Sequence, residues 1–177
     1  YYTRSLKIQE EMGNQKGIAA SLGNIGNIYK DQGDYAKAID YYTRSLKIKE
    51  EIGNKKGMAG SLNNIGNIYV NQGDFTKAID YYTRSLKIQE ELGGKKGIAA
   101  SLHNIGVIYV NQGDYAKAIE HYTRSLKIKE EIGDKNGIAA SLGNIGVIYK
   151  EQGNYEQALE HYDKSLKIFE ETGNKRG

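Results

Sequence analysis

Apolar residues recur along this chain at helical spacing in short stretches, and each stretch returns 40 residues later. Ile18, Leu22, Ile25 and Tyr29 mark one helix face, with Ile28 beside them, and Tyr35, Ala38, Ile39, Tyr42, Ser45, Leu46 and Ile52 mark another. Gly33-Asp34 follows the first stretch and Gly53-Asn54 the second. Glycine accepts the left-handed conformation that ends a helix, and Asp or Asn caps the next helix by accepting a backbone N–H. The pattern predicts amphipathic helices of about 18 residues, each about 27 Å long, joined by short turns. The chain contains no proline to interrupt them.

The period organises the whole chain. Four units lie at 15–54, 55–94, 95–134 and 135–174, with half a unit (1–14) before them and the start of a further unit at 175–177. Each unit reads as a hairpin of helix A and helix B. One hairpin cannot cover its own apolar stripe, so it must stack on its neighbours, which predicts an all-α solenoid whose stability is a sum over adjacent contacts.

Small residues suggest how the helices meet. Gly26, Gly66, Gly106 and Gly146 fall in the middle of helix A, where each costs about 1 kcal/mol against alanine, so a close approach of helix B is expected there. Ala38, Ala78, Ala118 and Ala158 face that crossing. Leu22, Ile25, Gly26, Tyr29, Ala38, Tyr42 and Ser45 together resemble the tetratricopeptide repeat. Glu50 stands where that family has proline, and the unit is six residues longer than usual, so helix B is expected to run about one turn further. The long period resembles Pins/LGN-type scaffolds and many bacterial signalling proteins. This resemblance implies a right-handed superhelix of antiparallel hairpins, with A helices lining a concave groove that binds a peptide or helical segment of a partner.

Composition narrows the chemistry. The chain has 25 Lys and Arg against 22 acidic residues, a net charge of +3, which is far from a nucleic-acid tail or a polybasic membrane anchor. There is no cysteine, which excludes thiolate metal sites and fits a reducing, cytoplasmic setting. No apolar run reaches the length of a membrane span, and the first residues carry no signal-peptide pattern. No nucleophile–base pair, carboxylate pair or metal cluster is recognisable, so no enzymatic activity, cofactor or metal is expected. His121 and His161 take the column of Tyr41 and Tyr81 and read as half-buried planar side chains. Lysines at the starts of A helices, such as Lys55, and Glu50-Glu51 at the end of the preceding helix B read as a ladder across each turn.

Half of the 40 columns are identical in all four units, so the remaining ones are informative. In helix A they include Ala20/Gly60, Gly23/Asn63/His103/Gly143, Asn27/Asn67/Val107/Val147, Lys30/Val70/Val110/Lys150 and Asp31/Asn71/Asn111/Glu151. At about 100° per residue these share one arc opposite Leu22, Ile25 and Tyr29. Helix B's outer Lys47, Glu50 and Glu51 are equally exposed columns and do not vary, which favours a functional groove over drift. The invariant Asn24, Asn64, Asn104 and Asn144 border the arc. They can pair with the backbone of an extended peptide or bridge to the next hairpin. The candidate groove therefore comprises Gly23, Asn24, Asn27, Lys30, Asn63, Asn64, Asn67, Val70, Asn71, His103, Asn104, Val107, Val110, Asn111, Asn144, Val147 and Lys150. Its valines suit a protein or peptide segment with an apolar centre. The columns where chaperone-binding relatives place basic residues hold Gly, Asn, His and Val, which argues against a C-terminal carboxylate clamp there. The alternative is a structural spacer that self-associates end to end through uncapped terminal helices. Near-identical units also fit an engineered origin, although scattered changes such as Phe75 and Thr76 fit natural duplication.

Overall fold

A computed structural model describes residues 2–173 and contains α-helices and turns, with no strand among the described residues. Tyr1, the end of the fourth unit at Asn174 and the start of a further unit at 175–177 lie outside the described residues. The chain divides into two compact units, 1–92 and 93–177. The first holds α1 (Tyr2–Glu11), α2 (Gln15–Asp31), α3 (Tyr35–Glu51), α4 (Lys55–Asn71) and α5 (Phe75–Glu91). The second holds α6 (Lys95–Asn111), α7 (Tyr115–Glu131), α8 (Lys135–Glu151) and α9 (Tyr155–Glu171). Each helix from α2 onward has 17 residues. Among the described residues no helix is long and apolar enough to cross a membrane.

The turns use the expected residues. Gly33 sits at φ 78, its N–H donates to Lys30 O, and Asp34 N donates to Tyr29 O at 2.8 Å. This pair of bonds closes the last turn of α2 as a Schellman motif. Asp34 then caps α3 by accepting from Lys37 N at 3.2 Å. The Lys37 ammonium, 2.7 Å away, holds the Asp34 carboxyl below its ordinary range. Gly94 replaces Asn or Asp before α6, and that helix starts without a side-chain cap.

Hairpins close on the small residues. A Cβ added to Gly26 would lie 2.8 Å from the Tyr42 ring, and the same holds for Gly66 against Tyr82. The aromatic ring of helix B therefore rests directly on the helix A backbone, which is why the column is glycine. A second tie is polar. The hydroxyls of Ser45, Ser85, Ser125 and Ser165 donate to the carbonyls of Ala19, Ala59, Ala99 and Ala139 at 2.7–3.1 Å. All four serines are buried, and each such bond contributes about 1 kcal/mol.

Stacking of hairpins adds a second contact to the same part of helix B. Ala38 and Tyr42 of α3 pack against Ile65 and Ile68 of α4, and Ala118 and Tyr122 of α7 pack against Ile145 and Ile148 of α8. Tyr29 and Tyr41 stack with ring centroids 5.4 Å apart, as do Tyr69 and Tyr81. His121 and His161 occupy the same place against Tyr109 and Tyr149.

The lysine–glutamate ladder takes a different path from the one the sequence suggests. Lys55 pairs with Glu91 at 2.8 Å, Lys95 with Glu131 at 3.1 Å and Lys135 with Glu171 at 3.6 Å. Each lysine reaches the far end of its own hairpin rather than back across the preceding turn. Two antiparallel helices of equal length bring the start of the first beside the end of the second.

Candidate functional site

The variable columns lie on the A helices, and each unit presents its own face. In the first unit, α2 supplies Gly23, Asn24, Asn27 and Lys30, while α4 supplies Asn63, Asn64, Asn67, Val70 and Asn71. A cavity of about 340 Å³ opens between these helices and brings together Gly23, Asn24, Asn27 and Asn64. Asn63, Asn67, Lys30, Val70 and Asn71 do not line it. In the second unit, α6 supplies His103, Asn104, Val107, Val110 and Asn111, and α8 supplies Asn144, Val147 and Lys150. A corresponding cavity of about 240 Å³ is lined by His103 and Asn104.

Several expected groove residues also serve the hairpin. The Tyr42 hydroxyl donates to Asn27 Oδ1 at 2.6 Å, and the Tyr82 hydroxyl donates to Asn67 Oδ1. Where valine takes that column, the His103 ring lies 5.3 Å from the ring of Tyr122. Val107 and Val110 are half-buried against the α7–α8 core, whereas Val147 is 42% exposed. Lys30 and Lys150 pair with their neighbours Asp31 and Glu151.

Other polar atoms on this face are unspent. Asn24, Asn64, Asn104 and Asn144 make no side-chain hydrogen bond to any described residue, so no bridge to a neighbouring hairpin is formed by them. Asn63 Oδ1 and His103 Nδ1 are buried and without a partner. Burial pushes the His103 imidazole down, with the Lys129 ammonium adding to the effect. His103 therefore stays neutral at pH 7, able to donate from one ring nitrogen and accept at the other. Among the described residues no group of three or more His, Cys, Asp or Glu is placed to hold a metal ion.

Sequence reasoning missed two residues. Lys49 of α3 and Lys129 of α7 project from B helices to line the two cavities. Lys49 Nζ donates to Ser61 Oγ at 2.8 Å, and Lys129 Nζ donates to Ser141 Oγ at 2.9 Å. Neither ammonium has a carboxylate within ion-pairing distance. Burial pushes both lysines below their ordinary range, and for Lys129 the Asp134 carboxylate partly opposes the shift. The available signal was variation: Lys49, Gln89, Lys129 and Phe169 share a column beside the invariant Lys47, Glu50 and Glu51.

Lys129 is only 8% exposed, so its charge costs stability. Lys129→Met is expected to raise the urea midpoint at pH 7 by an amount worth on the order of 1 kcal/mol. The folded-state pKa lies below the free value, so the penalty is full at neutral pH. It disappears as pH rises toward about 10.5, where the folded state has already released its proton. The gain should therefore narrow by pH 10, and an equal or lower midpoint at pH 7 would show that Lys129 is well solvated.

Repeating antiparallel hairpins with a glycine-on-tyrosine crossing and a buried serine tie define an all-α solenoid. The tetratricopeptide repeat model matches residues 57–131 and 97–171, and a second tetratricopeptide repeat model matches 19–51. The chain belongs to the tetratricopeptide repeat family. No curated protein sequence matches it. Among solved structures, it is similar to BtubC (BKLC) from P. vanneervenii at 23% identity and TM-score 0.87, covering 99% of this chain and 73% of that one. It is similar to aspartyl phosphate phosphatase F from Bacillus subtilis at 15% identity and TM-score 0.90, covering 98% and 46%. It also resembles a Rap protein complexed with competence and sporulation factor at 20% identity and TM-score 0.82, covering 98% and 48%. The chain thus spans less than half the length of the last two, and at these identities the likeness is one of fold.

Proposed function

We propose that the chain is a protein-interaction module that binds an extended peptide or helical segment of a partner along its A-helix faces, within a signalling or scaffold protein. Its repeats are 15–54, 55–94, 95–134 and 135–174. The observation that carries this reading is the set of invariant asparagines, Asn24, Asn64, Asn104 and Asn144, whose amides are unspent within the described fold. An asparagine amide presents a donor and an acceptor together, which matches a peptide backbone whatever its side chains. Half-buried Val70 of the first unit and exposed Val147 of the second each offer apolar contact to a segment bound on their own unit. The Rap structure complexed with competence and sporulation factor is a precedent on the same fold.

The test is a capped-peptide library screened against the intact chain. Asn64→Ala combined with Asn104→Ala is expected to weaken the selected peptides about fivefold or more while the melting midpoint stays nearly unchanged. A large fall in midpoint without ligand would instead assign these residues to the fold.

A second reading, end-to-end self-association, is favoured by α9. Tyr155, Leu159 and Leu166 are 66%, 62% and 56% exposed on one helix. Light scattering that rises with concentration and is abolished by Leu159→Lys with Leu166→Lys would support it.

A further inference from the structure

We infer that the cavity between α2 and α4 is a carboxylate subsite, in which Lys49 receives an aspartate or glutamate side chain from an internal stretch of the bound segment. This rests on the peptide-binding reading above and names the chemistry that the groove selects.

Lys49 is a half-buried ammonium with three N–H donors, of which one is used by Ser61 Oγ at 2.8 Å. Asn24, Asn27, Ser61 and Asn64 line the same cavity, and none of its lining residues is acidic. A half-buried cation lining an opening of about 340 Å³ that holds no carboxylate lacks the partner that buried charges ordinarily have. A carboxylate there would take the unused ammonium donors, and the Asn24 and Asn64 amides stand beside it. The structure also makes room for both the cation and its guest. A Cβ on Gly57 would sit 2.7 Å from the Asn54 amide and 3.0 Å from Lys49 Cδ, so that glycine leaves room for both the capping side chain and the lysine stem. A Cβ on Gly60 would meet nothing within 4 Å, so the space above is open, and this unit alone has glycine at that column.

The cavity of the second unit shows why the first is the stronger site. Lys129 occupies the same column, but Asp134 lines its cavity and partly neutralises it, whereas the matching residue in the first unit is the uncharged Asn54. The lysine reaches the cavity from helix B rather than from the helix A columns of Gly23 and Asn27, so an absence of basic residues on helix A does not argue against anion recognition.

The experiment uses the intact chain and capped nonapeptides with central valines that carry one Glu, one Gln, or one Gln with an uncapped C-terminus, read by fluorescence anisotropy. Glu peptides are expected to bind about tenfold or more tightly than their Gln counterparts. Lys49→Gln and Gly60→Leu should each erase that preference, and Lys129→Gln should reduce it far less. Lys49→Gln introduces the residue that the chain itself carries at position 89, and its melting midpoint is expected to equal or exceed the parent's. Equal binding of Glu and Gln peptides would overturn the subsite while leaving the groove reading intact. Preference for the uncapped C-terminus would overturn the side-chain assignment. Failure of every peptide to bind would overturn the groove reading and the subsite with it.

Discussion

Tyr82→Ala is expected to lower the stability of the first unit by about 3–5 kcal/mol, the range for removing a large aromatic side chain from a packed core. Tyr82 is 2% exposed, its ring covers the Gly66 backbone, and its hydroxyl is bonded to Asn67. The equivalent Tyr162→Ala should cost clearly less, because Tyr162 is only half-buried. Gly66→Ala gives a sharper test of the same contact. Alanine is the better helix former by about 1 kcal/mol, yet its Cβ would lie 2.8 Å from the Tyr82 ring. Overpacking should win, with a net loss of about 1–2 kcal/mol. In the Tyr82→Ala background the clash is gone, and Gly66→Ala should become stabilising. Urea unfolding of the double-mutant cycle measures that change of sign, and simple additivity would show that the ring does not set the glycine column.

The second large effect is alkaline unfolding. Burial pushes the hydroxyls of Tyr42, Tyr82 and Tyr122 up to about 12, from an ordinary value of 10. For Tyr42 the Asp31 carboxylate adds to the shift. A tyrosine whose folded pKa is raised contributes stability that is complete below pH 10 and is lost as pH rises through the folded value. Each ring forced to ionise in place costs on the order of 2–3 kcal/mol, so the unfolded chain gains steadily between pH 10 and 12. Tyrosinate absorbance from these three should appear well above pH 10, together with the loss of helical circular dichroism. A single phase near pH 10 with the helices intact would show that these hydroxyls are accessible.

The helices and the hairpin order were legible because a 3.6-residue stripe and glycine stops recur in every unit, but the caps only in part, since Gly94 has no side chain to offer and Asn154 makes no cap bond before α9. Gly26 was legible as a close approach, but its partner was not, because the Tyr42 ring reaches it through a crossing angle that the sequence does not state. The asparagine column at 27 and 67 was read as groove alone for the same reason, although Tyr42 and Tyr82 hold one end of each amide. Lys49 was passed over because Lys47, Glu50 and Glu51 around it belong to an outer face. It lies four residues after buried Ser45, however, which turns it inward on the helix. The lysine–glutamate pairs were assigned across the nearest turn, since sequence proximity suggests it, whereas antiparallel packing joins Lys55 to Glu91.

The peptide-binding account is tested most directly by following the side-chain amide signals of the asparagines in a two-dimensional nitrogen–proton NMR spectrum during titration with a selected Glu peptide. The account predicts that Asn24 and Asn64 move together, while the outer face of the B helices around Thr43, Lys47 and Lys87 stays still. Shifts confined to Tyr155, Leu159 and Leu166 of α9, or to the outer B-helix face, with the asparagine amides unmoved, would contradict it.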